Sequence, residues 1–218
     1  IGYPIISIYK SGKFSITKPE GKGGLINRYT VSEQILYEMG NPKKYISPDV
    51  CVDFTSFKLN DLGNDCVEID SVRGFEATDT YKVSVSYFDG YKASGQLTIS
   101  GPNAKSKAKL AAKIIWERLK ATGCTYDDTL TEYLGLSSCH GSISSDPKSI
   151  NEIVLRLSVK DSDKEKVNRF GKEIAPLITS GPPGVTGFAG GRPKAQEIIS
   201  YWPTLIPKEL VKTEVDVK

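Results

Sequence analysis

The sequence predicts an α+β fold: a mainly antiparallel sheet with two or three helices packed on one face. Three observations carry this. Runs of alternating apolar and polar residues recur between residues 50 and 100, the pattern of strands with one covered face. A stripe of alanines at helical spacing marks one long helix after them. The order is strands first, then helix, strand, helix, strand, which fits helices segregated to one side of a sheet.

Taken in order, "PIISIYKSGKFSI" reads as a hairpin, with Ile6, Ile8, Phe14 and Ile16 alternating around a turn at Gly12. A glycine-rich loop follows. "TVSEQILYEM" reads as a helix capped by Thr30, with Glu33 at the capping-box spacing and Gly40 as the stop. "DVCVDFTSFKL" and "DCVEIDSVRG" read as strands around the turn "NDLGN". "YKVSVSYF" and "YKASGQLTIS" read as a further strand pair, joined at Asp89-Gly90 by a type I′ hairpin turn.

"GPNAKSKAKLAAKIIWERLKATG" places Ala104, Ala108, Ala111, Ala112, Ile115 and Leu119 on one helical stripe, between Pro102 and Gly123. "YDDTLTEYLGL" suggests a short helix, and "INEIVLRLSVKD" a strand with Ile153, Leu155, Leu157 and Val159 on one face. "SDKEKVNRFGKEIAPLI" reads as a helix capped by Ser162 or Asp163, with Val167, Phe170, Ile174, Leu177 and Ile178 inward. The glycine-proline loop "TSGPPGVTGFAGGRPK" precedes a last strand in "AQEIISYWPTLIP" and a charged tail. No repeat or low-complexity linker divides residues 1–218, which read as a single α+β unit with a weak seam at 137–150.

Composition narrows the function. Net charge is +3 and mixed in sign along 218 residues, which argues against nucleic acid as a partner. No run of 18 apolar residues is present, so no membrane partner is expected. The four cysteines, Cys51, Cys66, Cys124 and Cys139, lack regular spacing and read as reduced thiols of a cytoplasmic protein. Cys51 and Cys66 flank an expected hairpin and could face each other across it. The first residue is Ile1 and the only methionine is Met39, so the chain is expected to be part of a longer polypeptide.

Two loops are candidate anion sites. In "TKPEGKGGLINRYT", Gly21, Gly23 and Gly24 free the backbone to aim N–H groups at one point, and Lys18, Lys22 and Arg28 add charge ahead of a helix N-terminus. The pattern is neither a Walker loop nor a dinucleotide fingerprint. The alternatives are a plain turn or an interface. In "SGPPGVTGFAGGRPK", Gly184, Thr186, Gly187 and Arg192 form the second candidate, with Arg192 able to grip a carboxylate or phosphate in bidentate fashion. Its alternatives are a surface loop or a segment that wraps a partner.

Asp53 and Thr55 share one face of a strand and form a possible polar pair, although pairing of Asp53 with a cation across the sheet is the simpler reading. Asp49 caps a turn in that reading. His140 beside Cys139 has neither the geometry of a nucleophile with its base nor metal-ligand spacing, so no metal and no cofactor is expected. Arg73 and Lys82 read as solvated sheet-face charges. No catalytic residue is assigned.

Five stretches together resemble the AtuA (acyclic terpene utilisation) family: "FSITKPEGKGGLIN", "PDVCVDFTSFKL", "SVRGFEATDTYKVSVSYFDGYKASG", "ISGPNAKSKA" and "GPPGVTGFAGGRPKAQEIISYWP". The resemblance covers nearly the whole chain and corresponds to the C-terminal half of the usual member. It implies a context of acyl-CoA or carboxylated-metabolite catabolism and prescribes no catalytic residues. Two functions follow as expectations. One is part of an enzyme that binds a CoA thioester or carboxylate through the glycine-rich loops. The other is a non-catalytic assembly domain packing on an N-terminal half of the same protein or on further copies as a homo-oligomer.

Overall fold

A computed structural model describes residues 2–145, 147, 149–187 and 190–217. The fold class is α+β, with mainly antiparallel sheets. The chain forms two compact units. The first comprises residues 1–83 and 203–218, the second 84–202. The stretch 137–150 lies inside the second unit.

In the first unit, β1 (Ile5–Ile8), β2 (Phe14–Thr17), β5 (Lys58–Gly63) and β6 (Cys66–Asp70) form a sheet in the order β1-β2-β6-β5. Helix α1 (Arg28–Ile35) contributes the buried Val31, which packs with Ile16, Ile26, Val67 and Ile69 in a small core. Strands β3 (Tyr45–Ile46), β4 (Cys51–Asp53) and β7 (Arg73–Phe75) make a separate small sheet.

The second unit is built on β10 (Glu152–Asp161), which lies between β8 (Thr80–Ser100) and β9 (Asp128–Leu134), antiparallel to both. β11 (Val185–Gly187) pairs with Leu97–Ile99 of β8, and β12 (Gln196–Pro207) also pairs with β8. Every second residue of β10, from Ile153 to Val159, is buried beneath α2 (Ala104–Ala121) and α3 (Lys164–Ile174). The six residues of the predicted α2 stripe are the buried ones. Alanine there removes side-chain bulk between helix and sheet, and Ile115 and Leu119 fill the space that remains. The opposite face of β10 is polar: Arg156 pairs with Glu132, Ser158 with Ser94, and Lys160 with Asp89.

Several local expectations are corrected. The α1 cap is Asn27, whose side chain accepts from the N–H groups of Tyr29 and Thr30, while the Thr30 hydroxyl accepts from the N–H of Asn27. The helix therefore starts before Thr30, and it ends at Ile35, short of Gly40. "DVCVDFTSFKL" is not one strand, because a 3-10 turn at Phe54–Ser56 separates β4 from β5. That places Cys51 and Cys66 in different sheets, and all four cysteines are free thiols.

No hairpin forms at Asp89-Gly90. β8 runs through it as one 21-residue strand. A β-carbon on Gly90 would sit 2.9 Å from the carbonyl oxygen of Asp161, so glycine serves a close backbone approach, at φ 84°. "YDDTLTEYLGL" is strand β9, whose pairing along Asp128–Leu134 overrides any local helical tendency. The helix expected across Ala175-Pro176 divides into α3, capped by Asp163, and the short α4 (Pro176–Ser180). Ile178 is 44% exposed, not inward.

Leu155 on β10 is fully buried among α2, α3 and β8. Leu155→Ala is expected to destabilise the chain by about 2–5 kcal/mol. Urea unfolding should show this as a lowered midpoint, while Leu205→Ala, at an exposed position, should leave the unfolding free energy within about 0.5 kcal/mol of the original.

Candidate functional site

The first glycine-rich loop is closed by its own side chains. The Lys18 ammonium donates to the carbonyls of Lys22 and Gly24, both at 2.9 Å, and pairs with Asp65 at 3.1 Å. Positive φ at Gly21 and Gly24 turns the loop around that ammonium. The donors next to it are also engaged. Ile26 N–H donates to Asp65, Arg28 N–H to Asp61, and the next two N–H groups to Asn27. Two carbonyl oxygens and one carboxylate thus surround an internal cation. The Arg28 guanidinium donates to the Tyr29 hydroxyl and lies over its ring. Lys22 and Gly23 are exposed.

The Asp65 carboxyl is held below its usual range, first by the Ile26 N–H and then by Lys18. In Asp53 the Thr55 hydroxyl is the main cause of a similar lowering. The Asp53 side chain accepts from both the N–H and the hydroxyl of Thr55, and Arg73 approaches to 3.5 Å. This pair caps the 3-10 turn after β4. Among the described residues, no three His, Cys, Asp or Glu side chains gather as a metal site.

The second loop divides into two parts. Its first part is fastened to β8 and α2: Gly184 C=O accepts from Ser100 N–H, Thr186 donates to Thr98 C=O, and Lys107 of α2 donates to Pro183 C=O. Gly187 passes close to Ile178, where a β-carbon would lie 2.9 Å from the Ile178 side chain. Its second part, residues 190–195, crosses α3 and β8. A β-carbon on Gly171 would sit 2.0 Å from the Pro193 carbonyl oxygen, and one on Gly95 would sit 2.0 Å from the Ile174 side chain and 2.9 Å from the Pro193 ring. Ala195 N–H donates to Asn168. Two missing side chains and one hydrogen bond therefore seat Pro193 in place.

This seating frames a cleft of about 700 Å³ within the second unit. It opens beside β8 where β11 stops, since β11 covers only Leu97–Ile99. Leu97, Ile174 and Ile178 give it apolar wall, and Ser94, Gln96 and Gln196 supply neutral polar groups. Arg192 and Lys194 stand on either side of Pro193, both exposed and both lining the cleft. Among the described residues neither makes a hydrogen bond or ion pair, and the lining includes no carboxylate. Lys18 and Gly21 line a different cleft, within the first unit.

Of the candidates read from sequence, Arg192 stands in the larger cleft and Gly184, Thr186 and Gly187 belong to the fastened part of its loop. Lys194, Gln96 and Gln196 went unnoticed because no motif marks them. One signal was available: Gly171 interrupts the interior of a helix, where glycine costs about 1 kcal/mol unless a close approach requires it.

The family model described as "Acyclic terpene utilisation family protein AtuA" matches residues 1–217. No curated protein and no solved structure matches the chain. No helix among the described residues is long and apolar enough to cross a membrane.

The lowered Asp65 carboxyl has a consequence for pH dependence. Its contribution to stability is fully present above the unfolded-state value, about pH 4, and is lost as pH falls through the folded value below it. Asp65→Asn should therefore lower the melting temperature at neutral pH, and the gap from the unmodified chain should close in strong acid. Melting curves across pH check this.

Proposed function

We propose that this chain, which belongs to the acyclic terpene utilisation (AtuA) family, binds an anionic metabolite with an apolar portion in the cleft of its second unit. The observation that carries the reading is two cations, Arg192 and Lys194, that have no partner among the described residues, at a cleft whose described lining holds no carboxylate. Exposed cations are ordinarily solvated, but these two stand on a segment seated by Gly95, Gly171 and Asn168. The entropy of ordering them is thus reduced before a ligand arrives. Ile178, 44% exposed, would take the apolar portion, with the buried Leu97 and Ile174 behind it. An acyl-CoA thioester or a carboxylated catabolic intermediate has the required character. The chemistry performed on it would draw on groups beyond those assigned here.

The test is thermal stability of the chain against acyl-CoA thioesters and free carboxylates. Ligand at one hundred times its dissociation constant adds about 2.7 kcal/mol and raises the melting temperature. The double variant R192Q/K194Q should lose that shift and keep its unliganded melting temperature, because both side chains are exposed and unpaired. The absence of a shift with every anion would end the proposal.

A second reading, assembly with a partner or further copies, is favoured by a separate observation. β1 is an edge strand whose Ile5, Ile6 and Ile8 are all exposed, Ile8 at 78%. β1 is short, but exposed apolar side chains side by side on an edge mark it for cover by another chain. Light scattering should report a mass above that of one chain, reduced to a single chain by Ile6→Lys. A monomer at all concentrations, with no partner recovered, would remove this reading.

A further inference from the structure

We infer that the cleft beside Arg192 and Lys194 selects a ligand whose head carries two negative charges, a phosphate monoester or a geminal dicarboxylate, over one whose head carries a single charge. The inference rests on the anion reading above and narrows it.

Arg192 and Lys194 are separated by one residue, so their α-carbons lie within about 7 Å of each other. Pro193 between them is seated on the elements beneath. Its carbonyl rests where a Gly171 side chain would be, its ring rests against Gly95, and the next turn of chain is held by Asn168. Two cations rooted this close on one seated segment can converge on one ligand head, and no carboxylate of the lining neutralises either one. A singly charged head engages one cation and leaves the other uncompensated. A doubly charged head neutralises both, with the guanidinium giving paired hydrogen bonds and the ammonium acting as a point charge. The rest of the lining is neutral: Gln96 and Gln196 add amide groups, and the exposed Ile178 receives an alkyl portion. The preference thus comes from charge count, and the affinity common to all ligands from apolar contact.

Isothermal titration of the chain with octyl phosphate, octyl sulfate, octanoate and octylmalonate tests this, because the alkyl portion is constant. At about pH 8 octyl phosphate is doubly charged and octyl sulfate is not, so octyl phosphate should bind about tenfold tighter, the scale of one charge-assisted contact. That ratio should shrink as the pH is lowered through the second phosphate ionisation near about 6, where octyl phosphate becomes singly charged. Octylmalonate matching octyl phosphate would show that charge alone is read; octyl phosphate alone being preferred would show that the phosphoryl group is read. Lys194→Gln should bring octyl phosphate and octyl sulfate to equal affinity while octyl sulfate still binds. Equal binding of octyl phosphate and octyl sulfate by the unmodified chain, unchanged with pH, overturns this inference and leaves the anion reading standing. Failure of all four ligands to bind overturns both.

Discussion

Burial of alternate side chains along β10 is the constraint on which the second unit depends. Ile153, Leu155, Leu157 and Val159 face the helices, while Arg156, Ser158 and Lys160 face away. A slip of one residue would exchange these two sets, so register is fixed on both sides of the strand at once. β8 and β9 inherit their positions from it, and α2 and α3 inherit theirs from the apolar face it presents. The buried Glu173 is compatible with this core because Arg118 of α2 and Arg169 of α3 both reach it, joining the two helices through one carboxylate. Charge left unpaired at that depth would be costly.

The candidate cleft follows from the same frame. β11 pairs with only three residues of β8, Leu97–Ile99, and next to them Pro193 of the loop lies against Gly95. That loop is immobilised by absences: side chains that Gly95 and Gly171 do not have. The consequence is a segment rich in glycine and proline that is nonetheless held at several points. Flexible composition and a fixed position coexist because the glycines that grip it lie in the strand and helix beneath, not in the loop itself.

Legibility in the sequence followed the range of the interaction involved. The α2 stripe was readable in full because six residues at helical spacing leave no competing period. The β10 face was readable for the corresponding reason at period two. Strand β9 was not, since "TLTEYL" is short enough to suit either period and only pairing with Val154–Lys160 decides it. Asp89-Gly90 carries the strongest local signal for a hairpin, yet Gly90 answers to Asp161, 71 residues away. Arg192 could be singled out as the cation of a long loop. Lys194 could not, because its interest lies in what does not surround it, and the absence of a partner is a property of the folded neighbourhood.

The Lys18 loop differs in kind. Loops that gather backbone carbonyls and carboxylates around a point commonly do so to hold a calcium or a monovalent ion, and they slacken when that ion is withdrawn. Here the cation is a side chain, tethered four residues from one carbonyl and six from the other. It cannot be chelated, exchanged or diluted. The shape of this turn therefore needs no bound mineral ion, and its carboxylate answers to acidity through the protonation of Asp65.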